Sequence, residues 1–170
     1  MTFWKKFFLN RVVQEKLPRN NKMMGRPFFA LFPQPLKEDD EIVIKGKVKD
    51  DAKEFSINFT QEVSSQPSNI AYHFKILFDE NKIVENSKSD CMWNSENKFQ
   101  NEWINGPGEN FGLAFKFKIS QILIYSIEDD DEDSRNLVSL FDHRLDFQNI
   151  QTIQAWGDVD KITELSFRYS

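Results

Sequence analysis

The chain has 170 residues, 39% hydrophobic and 29% charged, with seventeen Phe and a net charge of −5; this suits one globular core built from strands and excludes a disordered chain. A single cysteine, Cys91, excludes an intrachain disulfide and points to cytosolic synthesis, and no run of about 18 apolar residues is present to span a membrane. The acidity is uneven: residues 1–26 hold seven Lys or Arg against Glu15 alone, leaving −11 on the remainder, so the body repels nucleic acid and only the arm suits phosphate or an anionic lipid surface.

Residues 1–26 form a basic N-terminal extension, too interrupted by charge for a secretory signal. Phe3, Trp4, Phe7, Phe8 and Val12 fall at helical spacing, with Lys5, Lys6 and Arg11 off that stripe. The spacing leaves two readings of equal standing, a short amphipathic helix touching an anionic membrane, or packing of the same aromatics on the main domain or in a dimer contact. Pro27, Pro33 and Pro35 mark the junction with the domain over 27–170.

From there period-2 alternation takes over. Ile42, Ile44 and Val48 point one way and Val43, Lys45 and Lys47 the other; Phe55, Ile57 and Phe59 alternate with Ser56, Asn58 and Thr60. Over 70–77, Tyr72, Phe74 and Ile76 belong to a core face, which leaves His73, Lys75 and Leu77 on the exposed one. Strand-like runs continue through Ile83–Ser87 and Trp93–Lys98, and Asn105-Gly106-Pro107-Gly108 makes a turn. Phe111, Leu113, Phe115, Phe117 and Ile119 alternate cleanly, and further strands are expected at 121–127, 137–143, 150–156 and 162–169. The acidic run 128–133 lacks the alternating ligands, central Gly and distal Glu of a calcium loop and reads as a solvated turn that could contact a protein. Nine or more short strands with polar turns argue for an all-β antiparallel sandwich.

The stretch His73-Phe-Lys75-Ile-Leu77, then Val84-Glu-Asn86, then Trp93-Asn-Ser-Glu96-Asn-Lys98 resembles the galectin pattern His-x-Asn-x-Arg, Val-x-Asn, Trp-Gly-x-Glu-x-Arg. Four other places agree in order. Pro35 to Val48 resembles the family's opening segment, and Phe55-Ser-Ile-Asn-Phe59 its Arg-Phe-x-Ile-Asn-Leu strand. Leu140-Phe-Asp-His-Arg-Leu145 resembles its Tyr-x-His-Arg-Val/Leu segment, and Gly157-Asp-Val159 the lead into its last strand. The resemblance implies a jelly-roll β-sandwich of two sheets over roughly 27–169. It also implies a galactoside-binding lectin that leaves the cell without a signal peptide.

In galectins the His and Arg hold the axial hydroxyl of galactose and the first Asn shares that load. The second Asn and the Glu bind the hydroxymethyl group, and the Trp stacks on the ring. Carried over, His73, Asn86, Trp93 and Glu96 match; Lys98 keeps the charge of the last Arg; Lys75 replaces Asn, Leu77 replaces Arg, and Asn94 stands where Gly follows the Trp. Carbohydrate contact is therefore expected at His73, Lys75, Asn86, Trp93, Glu96 and Lys98. Lys75 either donates to a hydroxyl or pairs with Glu96 and closes the site.

Two functions follow from the resemblance: a lectin for galactosides or related glycans with weakened or altered binding, or a galectin-fold protein-interaction module that has lost sugar binding. Enzymatic work is not expected, because a glycosidase needs two carboxylates about 5–9.5 Å apart and Glu96 has no second carboxylate on its strand or face. No catalytic residue, cofactor or metal site is assigned. Glycans or glycoproteins are the expected partners, a homodimer is left open, and His143 beside Asp142 is read as structural.

Overall fold

The computed structural model describes residues 27–128 and 134–170 in full and residues 3–7 as backbone. In chain order the strands are β1 (Phe3–Phe7), β2 (Phe28–Leu31), β3 (Glu41–Val48), β4 (Glu54–Thr60), β5 (Ile70–Leu77), β6 (Lys82–Ser89), β7 (Met92–Trp93), β8 (Asn97–Gln100), β9 (Asn110–Phe117), β10 (Gln121–Ile127) and β11 (Arg135–Asp142). A 3-10 turn (Phe147–Asn149), β12 (Thr152–Gly157) and β13 (Val159–Tyr169) complete it.

These strands form two antiparallel sheets. One runs β1-β13-β3-β9-β10-β11; the other runs β2-β12-β4-β5-β6, with β7 and β8 both pairing with β6. The expected jelly-roll sandwich is therefore observed. Its core lies where the apolar faces meet: Phe55, Ile57 and Phe59 of β4 and Tyr72, Phe74 and Ile76 of β5 are buried against Phe111, Leu113, Phe115 and Phe117 of β9. The rings interlock edge to face, as in Phe59 on Phe115, with centroids 4.9 Å apart and planes at 69°. Because alternate residues point to opposite faces, burying Tyr72, Phe74 and Ile76 obliges His73, Lys75 and Leu77 to face away from the core, as the alternation predicts.

Three expectations change. Ile119 does not continue the β9 face; the Lys118 N–H donates to the Gln121 carbonyl, which closes a tight turn and leaves Ile119 at its tip, 72% exposed. Val43 is fully buried on the opposite face of β3, in a second apolar cluster with Ala114 and Ile127. Residues 3–7 are a strand rather than the start of a helix, paired with β13 from Phe3 opposite Tyr169 to Phe7 opposite Leu165. The exposed edge of β13 offers a row of main-chain donors and acceptors, and satisfying them outweighs a five-residue stripe with helical spacing. Residues 8–26, which carry the rest of that stripe, and 129–133 of the acidic run lie outside the described residues. Among the described residues no helix is long and apolar enough to cross a membrane.

The β12–β13 corner matters for the site. Gly157 has φ +87°, and a Cβ there would lie 2.7 Å from the Glu54 carbonyl oxygen. The turn aims the Asp158 carboxylate at the Lys53 and Glu54 amides, 2.9 and 3.3 Å away, and these bonds hold its pKa below the usual carboxylate value. The first residue of β4 is thereby fixed.

Candidate functional site

The outward face of the second sheet carries one polar row across three strands. Asn58 of β4 lies opposite His73 of β5, and His73 lies opposite Asn86 of β6. With neighbouring strands about 4.8 Å apart, the row spans about 10 Å, the width of one sugar ring and its substituents. His73 Nδ1 donates to Asn58 Oδ1 at 2.6 Å, which leaves the Nε2 lone pair turned outward as an acceptor. Burial, and secondarily the Lys75 charge, lowers the His73 pKa to about 4, so the ring is neutral at physiological pH.

Asn86 is nearly saturated. Its Oδ1 accepts from the Ser87 amide at 2.8 Å and from Arg144 Nη1 at 3.3 Å, and its Nδ2 donates to the Asn94 carbonyl at 2.9 Å. One Nδ2 hydrogen remains for a ligand. Arg144 reaches in from the end of β11, lies over the Phe141 ring at 5.0 Å, and donates to the Ser95 carbonyl at 2.6 Å. It ties Asn86 to the 94–96 segment beside it. Asn94 fills the position where the family has Gly with a structural amide, donating to Ser87 and Ser89 oxygens between 3.0 and 3.2 Å.

Trp93 stands at the rim, 51% exposed, with its ring edge-on to His73 at 4.9 Å and Lys88 Nζ 5.9 Å from its centroid. A tight hairpin sets it there. Asp90 and Cys91 have φ of 49° and 68°, the left-handed pair a two-residue β-turn requires. Their amides donate to Asn69 Oδ1 at 3.0 Å and to the Ser68 carbonyl at 2.9 Å, anchoring the hairpin to the 61–69 loop. The Cys91 residue is exposed.

Glu96 is exposed on the same rim and accepts no hydrogen bond from the described residues. Lys98 pairs with Glu80 at 2.5 Å. Lys75 does not pair with Glu96; it meets Glu54 Oε2 at 2.8 Å, on the strand whose start the Gly157 turn holds in place. Leu77 lies opposite Glu54 and supplies no polar atom. His73, Asn86 and Trp93 thus gather closely, with Glu96 at the edge, while Lys75 and Lys98 are already in ion pairs.

Sequence reasoning left out Asn58, Arg144 and Glu54. The outward register of Asn58 was readable from the Phe55–Phe59 alternation; its pairing with His73 was not. Beneath the row, Glu85 is buried and accepts from Tyr72 at 2.6 Å and Ser139 at 2.5 Å. Burial raises its pKa above the usual value. His143 is stacked on Phe147 at 4.8 Å and bonded to the Lys118 carbonyl, contacts that suit its structural reading. Among the described residues no cluster of His, Cys, Asp or Glu could hold a metal.

A neutral imidazole acceptor, an amide N–H, a free carboxylate and an exposed indole face can together grip a polyhydroxylated ring by its hydroxyls and its apolar side. Comparison with known proteins shows what the chain is similar to. The galactoside-binding lectin family model matches residues 27–167. Human galectin-4 is 32% identical over 136 residues, covering 78% of this chain and 38% of its own length. The chicken 16 kDa beta-galactoside-binding lectin is 28% identical over 130 residues, covering 74% of this chain and 87% of its own. This chain thus spans well under half of galectin-4 and most of the chicken protein. Sheep galectin-11, solved with glycerol, superposes with a TM-score of 0.69 at 19% identity over 85% of this chain and 99% of its own. A human galectin-16 variant gives 0.68 at 18%, over 84% and 95%.

Proposed function

The chain belongs to the galactoside-binding lectin family, and from that premise we propose that it binds β-galactosides or related glycans on the outward face of the second sheet, with affinity or specificity altered at Lys75 and Leu77. The family is one of non-enzymatic lectins, and the partners are galactoside-bearing glycans. The observation that carries the reading is the row Asn58–His73–Asn86 with the exposed Trp93 ring 4.9 Å from His73. In it Trp93 stacks on the apolar side of the sugar, His73 Nε2 accepts from a hydroxyl, the spare Asn86 hydrogen donates, and Glu96 accepts.

The alteration has a size. The Arg that Leu77 replaces would contribute charge-assisted bonds worth about 1.5–3 kcal/mol, which corresponds to about a ten- to hundredfold loss of affinity. Lys75 offsets part of it only by turning from Glu54. That pairing, with the apolar Leu77 beside it, favours the second reading, a galectin-fold protein-interaction module without sugar binding.

Titration of isotopically labelled protein with lactose, followed at the Trp93 indole by NMR, separates the two. Saturable shifts at His73, Asn86 and Trp93 that vanish in Trp93→Ala are expected. Silence from a folded protein up to tens of millimolar would sink the lectin reading and leave the module.

A further inference from the structure

The first sheet ends in β11, an eight-residue strand that pairs with β10 alone among the described residues. The other edges are covered or short. Along β13 the outer side is taken by the five residues of β1, and the second sheet ends in β2 with four residues and in β7 and β8 with two and four. A long edge without Pro or Lys is a template for a further strand.

A bulge gives this edge a two-fold pattern of its own. Leu140 lies opposite Leu123, Ser139 opposite Ile124 and Leu137 opposite Tyr125, so Val138 is the extra residue. Outward from the midpoint between Val138 and Ser139, the facing of the side chains is the same in both directions. Val138 packs on the core and Ser139 donates to the buried Glu85. Leu137 and Leu140 then stand on the outer face, 47% and 51% exposed. Asn136, opposite the buried Ser126, and Phe141, itself buried, turn inward again. Arg135, bonded to Glu41 at 2.6 Å, and the exposed Asp142 return to the outer face. A regular strand has no such symmetry about a point between two residues, because neighbours there face opposite ways.

We infer that β11 is the surface through which two copies of this chain pair, antiparallel about a two-fold axis between Val138 and Ser139. In that register Leu137 meets Leu140 of the second copy, Val138 meets its Ser139, and Arg135 meets its Asp142; every residue lies opposite one that faces the same way. A slip by one residue sets outward side chains against inward ones, so the register is fixed. The charges are complementary as well: Arg135 opens the strand and Asp142 closes it, and only antiparallel pairing brings the two together. Leu137 and Leu140 of both copies, bordered by Leu123 and Tyr125 of each β10, merge two half-exposed apolar strips into one. The face that carries His73, Asn86 and Trp93 belongs to the other sheet and stays open in both copies. On the lectin reading above, which the pairing itself does not need, the dimer is bivalent.

The test is sedimentation velocity of the full chain without sugar, from micromolar to millimolar concentration. The wild-type mass is expected to rise from 20.1 kDa towards twice that value. Leu137→Glu sets a carboxylate against a leucine at two places in the dimer and is expected to weaken association about tenfold or more, and Leu140→Glu, its counterpart across the axis, to do the same. Combining Leu137→Glu with Leu140→Lys places opposite charges across both contacts and is expected to recover most of the loss. Both positions are half-exposed, so the melting temperatures should stay close to that of the wild type. A monomer at every concentration overturns the pairing, and so does a dimer indifferent to both single changes. A dimer that the single changes break and the double change does not restore overturns the register and with it the two-fold pairing. Lactose binding is measured separately, so none of these results decides the lectin reading.

Discussion

The pH dependence of lactose binding tests the His73 geometry directly. Recognition through Nε2 requires the neutral ring with its hydrogen on Nδ1, where Asn58 Oδ1 holds it at 2.6 Å. Protonation converts the acceptor into a donor. With the pKa lowered to about 4 by burial and then by Lys75, about 10% of the rings are protonated at pH 5, so affinity there falls by only about 1.1-fold from its neutral value and halves near pH 4. A solvent-exposed histidine at its ordinary value would be about 97% protonated at pH 5, and binding would drop about thirtyfold. Folding follows the same linkage. A depressed histidine value means that the folded state disfavours the proton, so its stability is fully present above the unfolded value near 6.5 and is lost as pH falls from there towards 4, by about 3 kcal/mol at the upper limit. Dissociation constants for lactose at pH 8, 6.5, 5 and 4, with His73 imidazole shifts recorded in the same samples, check both. A binding transition centred near 6.5, or a free ring with its hydrogen on Nε2, would refute the reasoning.

Arg144→Ala should weaken lactose about five- to tenfold, because Asn86 Oδ1 and the Ser95 carbonyl lose their shared donor; the exposed guanidinium adds less than about 1 kcal/mol to stability, so a thermal scan should hardly move while the titration does, and Arg144→Lys should recover part of the loss. Glu85→Gln addresses the buried acid: its raised folded pKa makes the stability it contributes complete below the unfolded value near 4.5 and lost as pH rises through the folded value, so the melting temperature of the variant should fall less between pH 5 and 8 than that of the wild type. Gly157→Ala should cost about 1–3 kcal/mol in urea unfolding, since a side chain at φ +87° would press on the Glu54 carbonyl; an unchanged midpoint would mean that the corner yields easily.

The strand faces were readable because a sandwich with two inner faces imposes a period of two, and the sequence keeps it at Phe55–Phe59, Ile70–Leu77 and Phe111–Phe117. The same rule misplaced Ile119, because a turn ended the strand one pair early, and it did not show that Val43 would find Ala114 and Ile127 on the far side of β3. At the site, His73, Asn86, Trp93 and Glu96 were legible as an ordered motif within one stretch of chain. The groups that position them were not. Arg144 lies 58 residues from Asn86 and Asn58 lies 15 from His73, and only the pairing of β4 with β5 and the approach of the β11 end bring them together. The register also decided the partner of Lys75, because the pairing of β4 with β5 puts Glu54 opposite Leu77 and beside it. A substitution that looks in the motif like a lost hydrogen-bond donor is, in the fold, a charge moved two residues along β5, to the next position on the same face, and held by an acid on the neighbouring strand, so the motif shows which donor is missing and only the register shows what stands in its place.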